Sequence, residues 1–181
     1  MLVPSPRQPR LRDVLRRFGA NRRGSAAIQF ALVAPLFFAL LFAIVEVAMM
    51  FFATQVLETG TQETSRLLLT HQAQDQQMTA EQIHDNLCGR VQFLLRCSGI
   101  YLDVRAYPAG DPFTVPTLFD GAGNATGNFT YQPAAAGSAS IVVVRAFYKW
   151  PLLVTNLGFS LANIGTDMRL ISSTTAFRVE P

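Results

Sequence analysis

The sequence predicts an α+β fold in which a long N-terminal transmembrane helix continues into a helical segment packed on a small, mainly antiparallel β-sheet. Residues 26–52 are almost wholly apolar, apolar residues then recur at helical spacing, and from residue 100 they alternate with polar ones. A period of about 3.6 residues indicates a helix, and a period of two indicates a half-buried strand. We therefore expect four segments: a basic cytoplasmic leader (1–24), a transmembrane helix (25–53), an extracytoplasmic helical segment (54–97) and a small β-rich domain (98–181).

Positive charge is concentrated in the first segment. Residues 1–24 hold seven arginines against one aspartate, whereas the rest of the chain has more acidic than basic residues. Arginines immediately before an apolar span predict a cytoplasmic N-terminus, so the C-terminal domain would face the periplasm of a bacterial inner membrane. The basic charge belongs to the leader, so we expect no nucleic-acid partner.

The apolar run begins directly after the Gly24–Ser25 junction. As a helix, residues 26–52 would reach about 40 Å, which exceeds the roughly 30 Å hydrocarbon core of a bilayer. A secretory signal is cut on the far side of a shorter apolar core. A peptidase at the cytoplasmic face could instead cut between Gly24 and Ser25 and leave the whole helix on the product.

Three residues interrupt the apolar run. Pro35 would weaken or kink the helix, and Gln29 lies near the cytoplasmic interface, where an amide costs little. Glu46 has two interpretations. Its carboxylate either reaches the headgroups at the outer interface or makes an intramembrane polar contact with the helix of another subunit.

The helical pattern continues beyond the apolar run. One stripe recurs at steps of three and four residues: Ala53, Val56, Leu57, Gly60, Thr64, Leu67, Leu68 and His71. The polar residues 72–78 predict fraying or a turn, after which Thr79 and Gln82 have the spacing of a capping box. The box predicts a second helical stretch with one apolar side, made by Ile83, Leu87, Val91, Leu94 and Leu95.

Cys88 and Cys97 are the only cysteines of the chain. A continuous helix would separate them by roughly 13 Å, whereas a disulfide needs Cα atoms within about 7 Å. Gly89 and the Ser98–Gly99 pair are places where the helix could end or turn. An exported domain with two cysteines favours a bond between them. The alternative is two separate thiols.

Three strands are predicted from alternation and from the prolines that follow them: residues 100–107, 140–150 and 168–179. Residues 108–140 indicate a long loop with short strands at 113–119 and 128–131. Residues 152–167 indicate a loop or a short helix. The polar residues 172–175 predict that the last strand is an edge strand or has a wet face.

The sequence favours no catalytic, metal or cofactor site. Glu81 and His84 have the spacing of some carboxylate–histidine metal pairs, but a single pair is more typical of a solvated helix face. Both histidines, His71 and His84, fall in the helical region without a nucleophile at a familiar spacing. No Gly-rich phosphate loop is present, so we expect no ATPase and no enzyme.

Residues 22–36, Arg-Arg-Gly-Ser-Ala-Ala-Ile-Gln-Phe-Ala-Leu-Val-Ala-Pro-Leu, resemble the start of the TadE-like proteins. These are pilin-like components of the tight-adherence (Tad, or Flp-type) pilus machinery. Glu46, the Cys88 and Cys97 pair, the strand Val-Val-Val-Arg-Ala-Phe-Tyr-Lys-Trp-Pro and the closing Phe-Arg-Val-Glu-Pro are also similar to that family. The chain departs from it at Gln29, before Phe30, where pilin-like precursors usually have glutamate.

The resemblance implies a pilin-like fold and a role without catalysis. A prepilin peptidase would cut between Gly24 and Ser25, with Gln29 and Phe30 at the positions recognised in processing and assembly. The mature protein would act as a minor pseudopilin-like subunit in the assembly or initiation of an adhesive Tad pilus, beside other pilin-like subunits. The alternative is an uncleaved single-pass inner-membrane protein with a periplasmic binding or scaffolding domain.

Overall fold

The computed structural model describes Arg12, Gly19 and residues 24–110, 112–135, 140–153 and 160–179. The predicted leader therefore lies outside the described residues, except for Arg12, Gly19 and Gly24. The elements are α1 (Ser25–Leu69), α2 (Gln72–Asp75), α3 (Ala80–Val91), a 3₁₀ turn (Cys97–Gly99), β1 (Ile100–Pro108), β2 (Tyr131–Gln132), β3 (Ser140–Pro151) and β4 (Met168–Val179). This order confirms the α+β class.

The chain forms two compact units, Met1–Phe42 and Ala43–Pro181. Helix α1 is 45 residues long, and Pro35 does not end it. The part of α1 from Ala43 onward belongs to the second unit and supplies one layer of its core.

The predicted stripe on α1 is confirmed, because its central members are buried: Ala53, Leu57, Gly60, Thr64 and Leu68. Two further hydroxyl residues on this part of the helix are also buried. Thr61 donates a hydrogen bond to the carbonyl of Leu57 at 2.7 Å, and Ser65 donates one to the carbonyl of Thr61 at 2.7 Å. These bonds satisfy hydroxyl groups that burial would otherwise leave without a partner.

Helix α3 begins at the predicted capping box. The Gln82 amide donates to Oγ1 of Thr79 at 3.3 Å, and the Thr79 amide donates to Oε1 of Gln82 at 2.8 Å. Two amides at the helix start are thereby satisfied. The box fixes where the chain reverses after α1 and α2.

Helices α1 and α3 pack closely at Gly60. A Cβ atom at this position would lie 2.6 Å from Cγ1 of Val91 and 3.1 Å from Cδ1 of Leu87. Polar pairs flank the contact: Oγ1 of Thr64 lies 3.3 Å from Oδ1 of Asn86, and Arg90 forms an ion pair with Glu63. The absence of a side chain at Gly60 therefore lets the two helices approach.

The sheet has the strand order β2-β1-β3-β4. The β1–β3 and β3–β4 pairs are antiparallel, with Val144 of β3 opposite Val104 of β1 and Thr175 of β4. The β1–β2 pair is parallel and only two residues long. The mainly antiparallel sheet is thus confirmed.

Two predicted short strands are placed differently. Residues 113–119 form no strand; Phe119 alone pairs with Ala125 in an isolated bridge. Pro116 lacks an amide hydrogen, so this segment cannot donate a continuous ladder of hydrogen bonds. The strand predicted at 128–131 is instead β2, which begins at Tyr131 because the preceding Thr130 amide bonds to a carboxylate.

The helices cover one face of the sheet. Two clusters of buried side chains fill the space between them. The first contains Met50, Ala53, Leu57, Leu87, Val91, Leu95, Ile100, Ala146, Tyr148 and Ile171, and the second contains Leu68, Ala73, Ile83, Val104, Ala134, Val142, Val144 and Val179.

The opposite face of β1 and β3 is also covered, by the chain between β1 and β2. Four aromatic rings meet there, with centroids 5.3 to 5.6 Å apart for the Tyr101–Phe119, Phe119–Phe129 and Phe119–Phe147 pairs. On β4 the outward residues Ser172 and Thr174 are exposed. The last strand, β4, is thus an edge strand with a solvent-exposed face, which confirms the prediction.

Candidate membrane anchor and processing site

The Gly24–Ser25 junction coincides with the start of α1. Gly24 lies in a 3₁₀ conformation, Ser25 is the first α-helical residue, and both are exposed. A Cβ atom at Gly24 would meet no atom within 4 Å. The peptide bond that the sequence singles out therefore lies on an uncovered part of the chain.

Gln29 and Phe30 lie in the following turns of α1 and are exposed. They share the helix surface with large apolar side chains that no other described residue covers, including Leu32, Leu36 and Phe37. The structure thus places the predicted cleavage and recognition positions at the start of and along one continuous apolar helix.

Helix α1 is long and apolar enough to cross a membrane. One window of 18 residues has a mean hydropathy of 2.5, and only 11 % of it is buried. A helix in the core of a soluble domain would bury most of these side chains, because each exposed apolar side chain costs about 1.5–3 kcal/mol in water. An apolar surrounding is therefore the environment that this segment fits.

Glu46 lies in the second compact unit and is 8 % exposed. Its Oε1 atom accepts a hydrogen bond from the backbone amide of Leu153, the second residue after β3. The structure therefore gives Glu46 a partner in its own chain. Contact of Glu46 with another subunit stays a prediction.

Cys88 and Cys97 form a disulfide with a Cα–Cα distance of 5.3 Å. Helix α3 ends at Val91, and the chain turns back so that the 3₁₀ turn places Cys97 beside Cys88. The helix stops before the second cysteine, as a bond between them required. The bond links the end of α3 to the start of β1.

A buried ionic cluster lies on the face of the sheet opposite the helices. Asp103 has no exposed side chain, and its Oδ2 accepts hydrogen bonds from Nη2 of Arg145 at 2.7 Å and Nε of Arg105 at 3.1 Å. The Thr130 amide donates to Oδ1 of Asp103 at 3.0 Å, and Nη1 of Arg145 donates to the carbonyl of Pro116 at 2.8 Å. The cluster therefore binds the long loop to β1 and β3.

The pKa of Asp103 reflects two opposing effects. Burial raises it, whereas the hydrogen bonds from Arg145, Arg105 and the Thr130 amide lower it by more, so the pKa lies below the ordinary value of 3.8. The carboxylate is therefore ionised at neutral pH and held by two cations. Because Arg145, Arg105 and the Thr130 amide all bind this carboxylate, Asp103 suits a structural role.

The described residues contain no group of three His, Cys, Asp or Glu side chains that could hold a metal ion. His84 lies 3.6 Å from Asp85, its neighbour in the chain, and is half-buried beside β1 and β2.

Sequence reasoning missed the contact of Glu46 with Leu153 and the cluster around Asp103. A signal for the second was present, because Arg145 interrupts a run of valines and a buried charge needs a partner. No local pattern could identify Leu153, since its amide is far from Glu46 in the chain.

Residues 24–66 match the family model described as TadE-like protein. No curated protein and no solved structure matches the chain. The matched residues contain the Gly24–Ser25 junction, the apolar part of α1, and Glu46. This match confirms the predicted resemblance of residues 24–66 to that family.

Proposed function

We propose that this protein is a minor pseudopilin-like subunit that acts in the assembly or initiation of a Tad pilus and carries out no catalysis. The match to the TadE-like model is the observation that carries the proposal, because it covers the junction and the apolar helix together. The second compact unit adds a small α+β domain that follows the helix in the chain. Together these parts correspond to the leader, helix and head of a pilin-like precursor.

In this proposal the protein spans the inner membrane once, with its N-terminus in the cytoplasm and the α+β domain in the periplasm. The arginines of residues 1–24 support that orientation. The disulfide between Cys88 and Cys97 supports it independently, because disulfides persist in oxidising compartments such as the periplasm.

A prepilin peptidase would cut between Gly24 and Ser25 and make Ser25 the new amino terminus. The exposed junction is accessible to such an enzyme. The uncovered apolar side chains of α1 would then pass from lipid into a bundle with the helices of other pilin-like subunits. Both surroundings are apolar, so the transfer leaves the hydrophobic free energy of the helix nearly unchanged.

The amino-terminal residue of the protein recovered from its host's membranes tests this proposal. We expect mass spectrometry to find Ser25 at the terminus in cells with the prepilin peptidase and an intact leader in cells without it. A Gly24→Leu variant blocks the cut, and Gly19→Leu is the matched control within the leader. A full-length chain in the presence of the peptidase would contradict the proposal.

The alternative is an uncleaved single-pass membrane protein whose periplasmic domain binds or scaffolds other proteins. Gln29 favours it, since an amide stands where pilin-like precursors usually have a glutamate. The processing state of the wild type, with a Gln29→Glu variant as the reference that carries the usual glutamate, distinguishes the two. Under the main proposal the wild type is already processed, whereas under the alternative the leader persists in the wild type.

A further inference from the structure

We propose that the α+β domain is seated directly on the outer leaflet of the bilayer, with Leu153 and Phe93 inserted among the lipids. This inference rests on the membrane-anchoring part of the proposed function and adds a second contact with lipid beyond the helix. The partner surface is the headgroup and upper acyl region of the bilayer.

The position of the bilayer boundary follows from chain length. Counted from Ile28, the roughly 20 helical residues that cross the hydrocarbon end at about Val47. Glu46 therefore lies at the outer boundary, and Phe52 lies roughly 7–8 Å beyond it at 1.5 Å per residue. Side chains on a helix point back toward its N-terminus, so the Phe52 ring extends toward the bilayer.

The loop after β3 reaches the same level as Glu46. The Leu153 amide is hydrogen-bonded to the Glu46 carboxylate, and the Leu153 side chain is 87 % exposed. The preceding Leu152 amide donates to the carbonyl of Asp167 at 2.8 Å. A backbone amide can enter a lipid surface only if it is satisfied within the protein, and the amides of Leu152 and Leu153 both are.

At this depth Glu46 serves as the hydrogen-bond acceptor for the Leu153 amide. A carboxylate near the hydrocarbon needs a hydrogen-bond donor, and an amide in the same layer needs an acceptor. The contact between Glu46 and Leu153 satisfies both groups at once, and the side chain that Leu153 exposes is apolar. Pro151 and Leu152, the described neighbours, carry no charge.

Phe93 provides the second point of contact. It follows α3, is 68 % exposed, and its ring centroid lies 6.5 Å from that of Phe52. The pair places an exposed ring from a second element at the level of Phe52. Exposed Phe and Leu side chains of this kind are typical of protein surfaces that insert about 5–10 Å into the headgroup boundary.

Fluorescence quenching by brominated lipid tests the inference in the full-length protein. Trp150 is the only tryptophan, so Trp150→Phe gives a background into which single tryptophans are placed at Leu153, Phe93 and, as a control, Phe113. Phe113 is also exposed, but its ring stacks on Tyr107 near the opposite end of β1. The vesicles contain phosphatidylcholine and phosphatidylglycerol, with bromine near the carbonyl end of the acyl chains.

For Leu153→Trp and Phe93→Trp we expect about a twofold loss of emission, because side chains inserted about 5–10 Å into the headgroup and acyl boundary reach the depth of such bromines. For Phe113→Trp we expect no loss. Equal emission at all three positions would overturn the proposal. If the quenching of Phe93→Trp weakens as the protein-to-lipid ratio rises, a helix of a second protein molecule covers position 93. That result would overturn the proposal for Phe93.

Flotation of the same vesicles separates the two levels of inference. Protein that does not float with the lipid would contradict the membrane anchor itself. Protein that floats without quenching would contradict only the seating of the domain. If Trp150→Phe lowers the thermal unfolding midpoint, the three tryptophans are placed in the protein that retains Trp150. Quenching of each is then measured as the change relative to the emission of Trp150 alone.

Discussion

Asp103 and Arg145 stand directly opposite each other on β1 and β3, and Nη2 of Arg145 donates a 2.7 Å hydrogen bond to Oδ2 of Asp103. The carboxylate is fully buried and the guanidinium nearly so. Because Arg145 also bonds to the Pro116 carbonyl, the pair connects the centre of the sheet to the loop that covers it.

Replacing Asp103 with Asn should lower the free energy of unfolding by about 3 kcal/mol, because it leaves a buried guanidinium without its counter-charge. The control is Asp167→Asn, which removes an exposed carboxylate and should change stability by less than about 0.5 kcal/mol. Thermal unfolding of the full-length protein in detergent, followed by circular dichroism, measures both. Equal midpoints for the two variants would show that the cluster does not stabilise the fold.

The same carboxylate predicts a dependence of stability on pH. The pKa of Asp103 is lower in the folded protein than its ordinary value of 3.8, so its contribution is present above pH 3.8 and is lost as the pH falls through the folded value. We expect the unfolding midpoint of the wild type to fall in this acidic range more steeply than that of Asp103→Asn. Parallel curves for the two proteins would refute this.

Two glycines on packed helices should respond to alanine with opposite signs. At Gly60 a Cβ would lie 2.6 Å from Cγ1 of the buried Val91, so Gly60→Ala should cost about 1–2 kcal/mol despite its better helix propensity. At Gly89 a Cβ meets no atom within 4 Å, so Gly89→Ala should stabilise by about 0.5–1 kcal/mol. Urea unfolding measures both. The packing argument is wrong if Gly60→Ala is as stable as Gly89→Ala.

Removal of the disulfide should destabilise the domain by about 2–3 kcal/mol, the value for a short closed loop. The variant is Cys88→Ser with Cys97→Ser, since a single substitution would leave a reactive thiol. Reduction of the wild type with a phosphine should produce the same shift in the unfolding midpoint and should not affect the double variant. An unchanged midpoint after complete reduction would contradict the prediction.

Glu46→Ala should impair pilus assembly more than membrane insertion. The substitution leaves the Leu153 amide without its acceptor, and the apolar helix itself is unchanged. Counting pili on the host by electron microscopy, with immunoblots of the membrane fraction, checks it. Glu58→Ala, further along α1, is the control, because Glu58 is exposed to solvent at these contacts and accepts hydrogen bonds from the side-chain amides of Gln55 and Gln62 on its own helix. Normal piliation at a normal protein level would refute the role of Glu46.

The helices were predictable because their signals are local. The stripe on α1 and the capping box before α3 depend on residues within a few positions of each other, and both appear where the sequence places them. The strands β1, β3 and β4 were equally clear, since alternation ends at a proline or at the chain's end.

The loop that covers the face of the sheet opposite the helices was not predictable from local patterns. The alternation of β1 indicates a wet face at Asp103 and Arg105, yet the loop between β1 and β2 covers it. Asp103 and Arg145 are 42 positions apart, and no periodicity identifies partners at that distance. Prolines and glycines in the loop indicate only that it is irregular.

The residue from which α1 packs in the second unit could not be predicted from the sequence either. Residues on both sides of Ala43 are equally hydrophobic, so composition alone extends the span to residue 53. The structure instead buries one stripe of α1 from Ala43 onward against other elements of the second unit. A side chain that faces a protein core and one that faces lipid have the same hydropathy.

The burial of Ala53 and Leu57 in the domain core has a mechanical consequence. In the proposed pilus, force applied to the anchor would load α1 along its axis. The helix could yield only by sliding past α3 and the sheet, which shears the contacts at Gly60, Val91 and Tyr148 together. Elements loaded in shear resist force better than elements peeled away one contact at a time, so this head would withstand tension without a covalent link between α1 and the sheet.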